Sequence, residues 1–303
     1  QAFKNSNLIF DFGFTEGYKK TTSKKKAGDK SHFFSNFFKN LETSENINAE
    51  LEVNLEHVSN KKYLKLYKIE SNLVDYETSV LENYINYTRE NDADDSYLSF
   101  NMSNFRSLAD SYNDKYEYIL PEITYDKQIF GEGFGYGNFK SNFKVHNFDT
   151  NKYKKFLTNE FDWNLDNPSS EKNFDGKFLT KFKNINYEVK NVNEFKSETT
   201  NELFGAFGYF ASVDLYKDDY KGRNHSLTPK VLFKYAPNYM RKETENFNLI
   251  GKNIFSLDRI QSNENFEGGT NMTIGLNYEI DNDISKTNFS IGQIINEKKN
   301  NKQ

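Results

Sequence analysis

The sequence predicts an all-β protein, an antiparallel transmembrane β-barrel. Three observations predict it. Apolar and polar residues alternate with period two through much of the chain. The alternating runs last about ten residues, against the 5–6 usual in soluble strands and as expected of outer-membrane strands. Aromatic residues are abundant, 29 Phe and 20 Tyr in 303 residues, and only 4 Pro interrupt the pattern.

The strands follow in chain order. Leu8, Phe10, Phe12 and Phe14 alternate with Ile9, Asp11 and Gly13. The clearest run is Asn46 to Glu56. Ile47, Ala49, Leu51, Val53 and Leu55 occupy one parity, and Asn48, Glu50, Glu52, Asn54 and Glu56 the other. Leu157, Phe161, Trp163 and Leu165 alternate with Thr158, Glu160, Asp162 and Asn164. Near the other end Met272, Ile274, Leu276, Tyr278 and Ile280 alternate with Thr273, Gly275, Asn277 and Glu279. Weaker runs lie at 81–87, 97–105, 116–126, 134–145, 177–189, 203–215, 227–235 and 288–295, with turns at 91–96, 166–172 and 217–224 between them. The total is roughly 12–15 strands, within the range of bacterial barrels. Two segments, 59–69 and 248–260, place apolar residues nearer helical spacing and read as ordered loops with a helical turn.

Composition narrows the class. A mean hydropathy of −0.87 is typical of disordered chains, but those are poor in aromatics. Zero Cys and 16 Gly exclude disulfide-stapled and collagen-like chains. The most apolar window, Phe204 to Val213, is about half the ~20 residues of a spanning helix. Net charge is −4 with both signs interspersed, so no electrostatic footprint of a nucleic-acid partner is present. The basic run Lys19 to Lys30 reads as a solvated loop. No leader pattern opens the chain, and its first residue, Gln, suggests a mature or truncated N-terminus.

In a barrel the polar parity faces a wet lumen and the apolar parity faces lipid. The lumen-facing candidates are therefore Asn48, Glu50, Glu52, Asn54, Glu56, Asn277 and Glu279. The lipid-facing candidates are Ile47, Leu51, Val53, Leu55, Met272, Ile274, Leu276 and Tyr278. In these two strands every Glu falls on the polar parity, as lipid exposure of the other face requires. A soluble β-sandwich also gives period two, with the apolar parity in a shared dry core. A sandwich adhesin and a general porin or autotransporter barrel are the alternatives.

No enzyme site emerges. His32, His57, His146 and His225 are scattered, without metal-ligand spacing, and no cofactor motif is present. The segment Gly131–Gly137 (GEGFGYG) lacks the Lys-Ser/Thr ending of a phosphate loop and reads as a turn entering a strand. Pro121 and Pro229 each remove a ladder donor from a strand.

Five stretches resemble the LptD (OstA) family of lipopolysaccharide-assembly outer-membrane proteins. They are Val58–Tyr67 (VSNKKYLKLY), Tyr116–Lys127 (YEYILPEITYDK), Ser226–Asn238 (SLTPKVLFKYAPN), Phe255–Tyr278 (a basic–acidic pair, then Glu-Gly-Gly, then a strand) and Phe289–Ile295 (FSIGQII). Asn60 stands where the family usually has Asp. The resemblance implies a much larger barrel, of which residues 1–303 supply part. The family's N-terminal jelly-roll domain and final strands are expected to lie outside this chain, and residues 1–303 alone are not expected to close a stable pore. It also implies lipopolysaccharide transport without catalysis, in the cell outer membrane. The implied partners are lipopolysaccharide itself, outer-membrane lipid, an LptE-like lipoprotein plug and an LptA-like periplasmic bridge.

Overall fold

The computed structural model describes residues 5–15, 28–41, 44–109, 114–131, 133–167, 173–219, 222–237, 241, 253–282 and 285–297. The basic run from Lys19 lies almost wholly outside these residues, as does the first part of the 248–260 segment.

Among the described residues, fourteen strands form one antiparallel sheet with almost no helix. They are β1 (Ser6–Thr15), β2 (Lys30–Asn40), β3 (Ile47–Val58), β4 (Val80–Asn91), β5 (Ser96–Ser107), β6 (Tyr116–Gly131), β7 (Gly135–Phe148), β8 (Tyr153–Asp166), β9 (Phe174–Lys190), β10 (Thr200–Val213), β11 (Leu215–Asp218), β12 (Asn224–Tyr235), β13 (Asn271–Asp281) and β14 (Lys286–Asn296). A short helix, α1 (Tyr63–Tyr67), lies between β3 and β4. Neighbours in sequence are neighbours in the sheet, except that β11 and β10 both pair β12. β10 and β11 keep one register against β12, so they are a single strand interrupted at Asp214, whose carboxylate accepts a hydrogen bond from the Thr228 hydroxyl at 2.7 Å. No helix among the described residues is long and apolar enough to cross a membrane, which says nothing about crossing by strands.

Every predicted strand is present. β2 was not among them. Its apolar residues come in the pairs Phe33–Phe34 and Phe37–Phe38, which fill both parities and erase period two. The structure separates each pair. Phe33 is 40% exposed, whereas Phe34 is buried in a cluster with Val58, Tyr63, Leu64, Val74 and Leu81. The 59–69 segment does contain the helical turn, α1, whereas the described part of 248–260 has turns and bends only. The glycine-rich 131–137 segment is a turn into β7, with Gly133 and Gly135 at φ of 73° and 93°, values only glycine adopts freely. Pro121 sits at an irregularity where two residues of β6 face Met102.

The chain divides into two compact units. One comprises Gln1–Lys127, Asn142–Leu157 and Tyr187–Thr199, the other Gln128–Ser141, Thr158–Asn186 and Thr200–Gln303. Each places its long connections at one end. In the first, the β1–β2, β3–β4 and β5–β6 connections share an end, and the short β2–β3 and β4–β5 turns lie opposite. In the second, the 236–270 connection from β12 to β13 lies opposite the β13–β14 turn.

Candidate functional site

Antiparallel register places directly opposed residues on the same face of a sheet. In the first unit it aligns polar residues into rows. Glu52 lies opposite Asn86, Asn86 opposite Asn101, and Asn101 opposite Glu122. Glu50 begins a second row through Thr88, Ser99 and Thr124. Asn54 begins a third through Tyr84 and Ser103, with Asn36 on its β2 side. The rows are cross-linked. The Glu52 carboxylate accepts from the Asn36 amide at 2.9 Å and the Tyr84 hydroxyl at 2.8 Å. Asn54 donates to Glu56 at 3.0 Å. Asn142 donates to Thr124 at 2.8 Å and to Glu122 at 3.3 Å.

The opposite face is apolar. Val53 lies beside Phe37 and Ile85, and Ile85 beside Met102. Leu51 lies beside Tyr87, Tyr87 beside Phe100, and Phe100 beside Ile123. Ile47 and Leu55 share this parity, as Asn48 shares the polar one. Large side chains here stand in the open: Phe10 is 67% exposed, Phe12 65%, and Leu55 and Ile85 44% each.

The second unit repeats the two faces. Met272, Ile274, Leu276 and Tyr278 oppose Phe233, Val231, Pro229 and Leu227. On their other side lie Ile295, Gln293, Ile291 and Phe289. Asn277 opposes Thr228 and Ser290, and Glu279 opposes Ser226 and Asn288, all on the polar face.

Here the polar face is covered. Residues 253–270 of the β12–β13 connection fold down onto it through an ionic cluster and a set of apolar anchors. Lys183 of β9 is fully buried. Its ammonium reaches the Asp258 carboxylate at 3.0 Å and Glu160 of β8 at 3.1 Å, and donates to the carbonyls of Ser262 (2.7 Å) and Asn265 (3.1 Å). Lys234 of β12, also buried, meets the Glu267 carboxylate at 3.3 Å and donates to the Glu267 carbonyl at 2.9 Å. Glu267 forms a multiple ion pair with Arg259 and accepts from the Arg259 backbone N–H at 3.1 Å. Its own N–H donates to Asp258 at 3.1 Å. Arg241 pairs with Glu202 of β10. Burial alone would raise the Glu267 carboxyl above its ordinary value of 4.5. The Arg259 hydrogen bonds and the charges of Lys234 and Arg259 outweigh this and hold it below.

Apolar anchors fix the rest. Gly208 of β10, Gly275 of β13 and Gly292 of β14 offer bare backbone on the polar face. A Cβ at these positions would lie 2.7 Å from Leu257, 2.7 Å from Phe255 and 2.9 Å from Ile254 respectively. Strand glycines of this kind mark close approach of another segment. Phe266 stacks on Phe204 with centroids 5.6 Å apart, and Phe210 meets Phe255 edge-on at 5.9 Å.

The sequence-predicted polar candidates thus share faces with like residues, but none of them belongs to this buried cluster. Lys183, Lys234, Asp258, Arg259 and Glu267 were not singled out as a site. One signal existed: Asp258, Arg259 and Glu267 are the basic–acidic pair and the Glu-Gly-Gly of the 255–278 stretch.

The profile of the LptD family, LPS transport system D, matches residues 34–303. The chain belongs to the LptD family. No curated protein matches it. LptD proteins act in lipopolysaccharide transport and assembly at the outer membrane, and the all-β antiparallel sheet agrees with their barrel architecture.

Proposed function

We propose that this LptD chain forms a section of the outer-membrane barrel wall along which lipopolysaccharide reaches the outer leaflet. Asn48, Glu50, Glu52, Asn54 and Glu56 line the polar route, together with Asn277 and Glu279. Ile47, Leu51, Val53, Leu55, Met272, Ile274, Leu276 and Tyr278 meet lipid. The observation that carries this reading is the exposed apolar face. In a soluble sandwich adhesin the same side chains would be buried against a second sheet, and monomeric soluble proteins rarely expose contiguous apolar patches of more than a few hundred Å². With β11 set aside, the strands run from 10 to 17 residues, enough for the ~9–11 that a tilted spanning strand needs. The polar face supplies hydrogen-bonding groups for a saccharide headgroup, which an apolar conduit would strip of water at several kcal/mol per unsatisfied group. By the rule that barrels have long extracellular loops and short periplasmic turns, α1 lies toward the cell exterior. An LptE-like lipoprotein and an LptA-like bridge complete the apparatus.

Site-specific photo-crosslinking in the complete protein in cells tests this. Probes at Asn86 and Asn101 are expected to capture lipopolysaccharide only while it is being supplied. Probes at Ile85 and Met102 capture membrane lipid whether or not supply continues, and a probe at Thr273, buried under the 253–270 segment, captures neither. Equal supply dependence at Ile85 and Asn86 would overturn the assignment of faces.

A further inference from the structure

β2 carries two phenylalanines on the polar face, Phe34 and Phe38. Phe34 is fully buried in the cluster with Tyr63 and Leu64. Phe38 remains partly exposed, opposite Glu52 on β3 and Asn7 on β1. A large apolar ring kept against water is a cost that contact with a ligand would recover. A second ring stands on the same face. Tyr84 of β4 lies opposite Asn54 and Ser103, and is also partly exposed. Its hydroxyl donates to Oε1 of Glu52 at 2.8 Å, and the Asn36 amide donates to the same oxygen at 2.9 Å. These two bonds fix the carboxylate in place and tie the tyrosine to it. Glu52 therefore lies between two rings, Phe38 directly opposite on β2 and Tyr84 diagonally on β4, and Asn86 faces it from β4. With neighbouring strands about 4.8 Å apart, β2 and β4 are separated by about 10 Å.

Rings on either side of a carboxylate and carboxamides suit a sugar ring. The C–H bonds of one sugar face are weakly positive and pack on the electron-rich face of an aromatic ring. The sugar hydroxyls donate to a carboxylate as charge-assisted hydrogen bonds, and exchange bonds with amides. A carboxylate has about four acceptor sites, so Glu52 can take further donors beside Tyr84 and Asn36. Other ligand classes use only half of this arrangement. An acyl chain would cover the rings but desolvate Glu52 without a hydrogen bond. A bare phosphate would meet the like charge of Glu52.

We propose that Phe38 and Tyr84 are stacking platforms for a sugar ring of the transported saccharide, with Glu52 between them accepting its hydroxyls and Asn86 completing the contact. This rests on the transport reading and adds the residues that select a sugar over other polar cargo. The test uses the complete purified protein in detergent. The probe is the oligosaccharide freed from lipopolysaccharide by mild acid hydrolysis, and its affinity is measured by titration calorimetry. Phe38→Leu keeps an apolar side chain and removes the ring, so affinity should fall about 2- to 10-fold, the range for one aromatic contact. Tyr84→Leu should weaken binding at least as much, because it also releases Glu52. Phe38→Tyr should keep the wild-type affinity, which controls for folding. Phe37→Leu changes the adjacent ring, which opposes Val53 on the other face, and should leave affinity unchanged. Affinity should also hold as salt is raised, because stacking on a ring is not an ion pair. Undiminished affinity in Phe38→Leu overturns the proposal. So does an equal loss in Phe37→Leu, which would mark an effect on the fold, or a steep loss with salt, which would mark an ionic contact. A wild type that binds no oligosaccharide overturns it as well. The transport reading falls with it only if supply-dependent capture at Asn86 and Asn101 also fails.

Discussion

Glu267→Gln is the sharpest test of the segment that covers the polar face. The substitution keeps the shape of the side chain and removes one charge. Two cations, Lys234 and Arg259, then lose their shared counter-charge while remaining 2% exposed each. Removing one partner from a buried ion pair costs about 3–5 kcal/mol, because the remaining charge stays desolvated. The cost falls on the 253–270 segment, whose release would let water reach both cations. At about 1.4 kcal/mol per factor of ten, the open population should rise roughly 100- to 4,000-fold. Hydrogen exchange of the complete protein in detergent reads this directly. The Arg259 amide is bonded to Glu267 at 3.1 Å and the Glu267 amide to Asp258 at 3.1 Å, so both should lose protection. Glu279→Gln serves as the control. Its 2.7 Å pair with Lys286 joins side chains 30% and 61% exposed, and such a pair is worth under about 1 kcal/mol. Wild-type exchange rates in the Glu267→Gln segment, or equal acceleration by the control, would refute the view that the cluster holds the segment down.

Three further outcomes are expected. The Glu267 carboxyl is held below 4.5, so its contribution is present above that value and is lost as pH falls through the lower folded value; the 253–270 segment should stay protected at neutral pH and open only in acid, as exchange against pH would show. Gly275→Val should destabilise the fold by about 1–3 kcal/mol despite the higher strand propensity of Val, because its Cβ would meet Phe255 at 2.7 Å and the Ile291 carbonyl at 2.8 Å; an unchanged or raised midpoint in thermal unfolding would contradict this. Trp163, the single tryptophan of the chain, whose indole N–H donates to the Phe134 carbonyl at 2.9 Å, lies on the apolar parity near the end of β8 and should be quenched more by lipids brominated near the headgroup than at the chain end. Absence of quenching at either depth would place that parity away from lipid.

How much of this was readable in the chain depends on the range of the interaction that sets each feature. β3 and β13 were legible because a strand with one polar and one apolar face needs only its own alternation. β2 was not, because Phe34 and Phe38 lie on the face that polar residues occupy elsewhere, and Phe34 is there to receive Tyr63 and Leu64 from the β3–β4 connection. α1 was partly legible, since Asn60 starts its turn within three residues. The buried cluster was the least legible. Lys183 looks like any polar residue of an alternating strand, and Asp258, one of the two carboxylates paired with it, is 75 residues further on. Gly208, Gly275 and Gly292 carry no periodic signal, yet they leave the space that Leu257, Phe255 and Ile254 fill.

These omissions share one cause. Alternation reports which face of a strand is wet or dry, but not which part of the wet face another segment has claimed. On β12 and β13 the polar parity includes Leu232 and Thr273, both fully buried, together with Lys234. Neither lipid nor open water explains a parity that mixes these types; a covering segment with its own charges and anchors does. The Leu232–Lys234 mixture was therefore the available clue. On β3 to β5 the same parity reads Glu50, Glu52, Thr88, Asn86, Ser99 and Asn101 without a large aliphatic side chain, and all six remain partly exposed. The central polar parity of β3 to β5 is left partly exposed among the described residues, whereas the mixed parity of β12 and β13 is covered by the chain's own 253–270 segment.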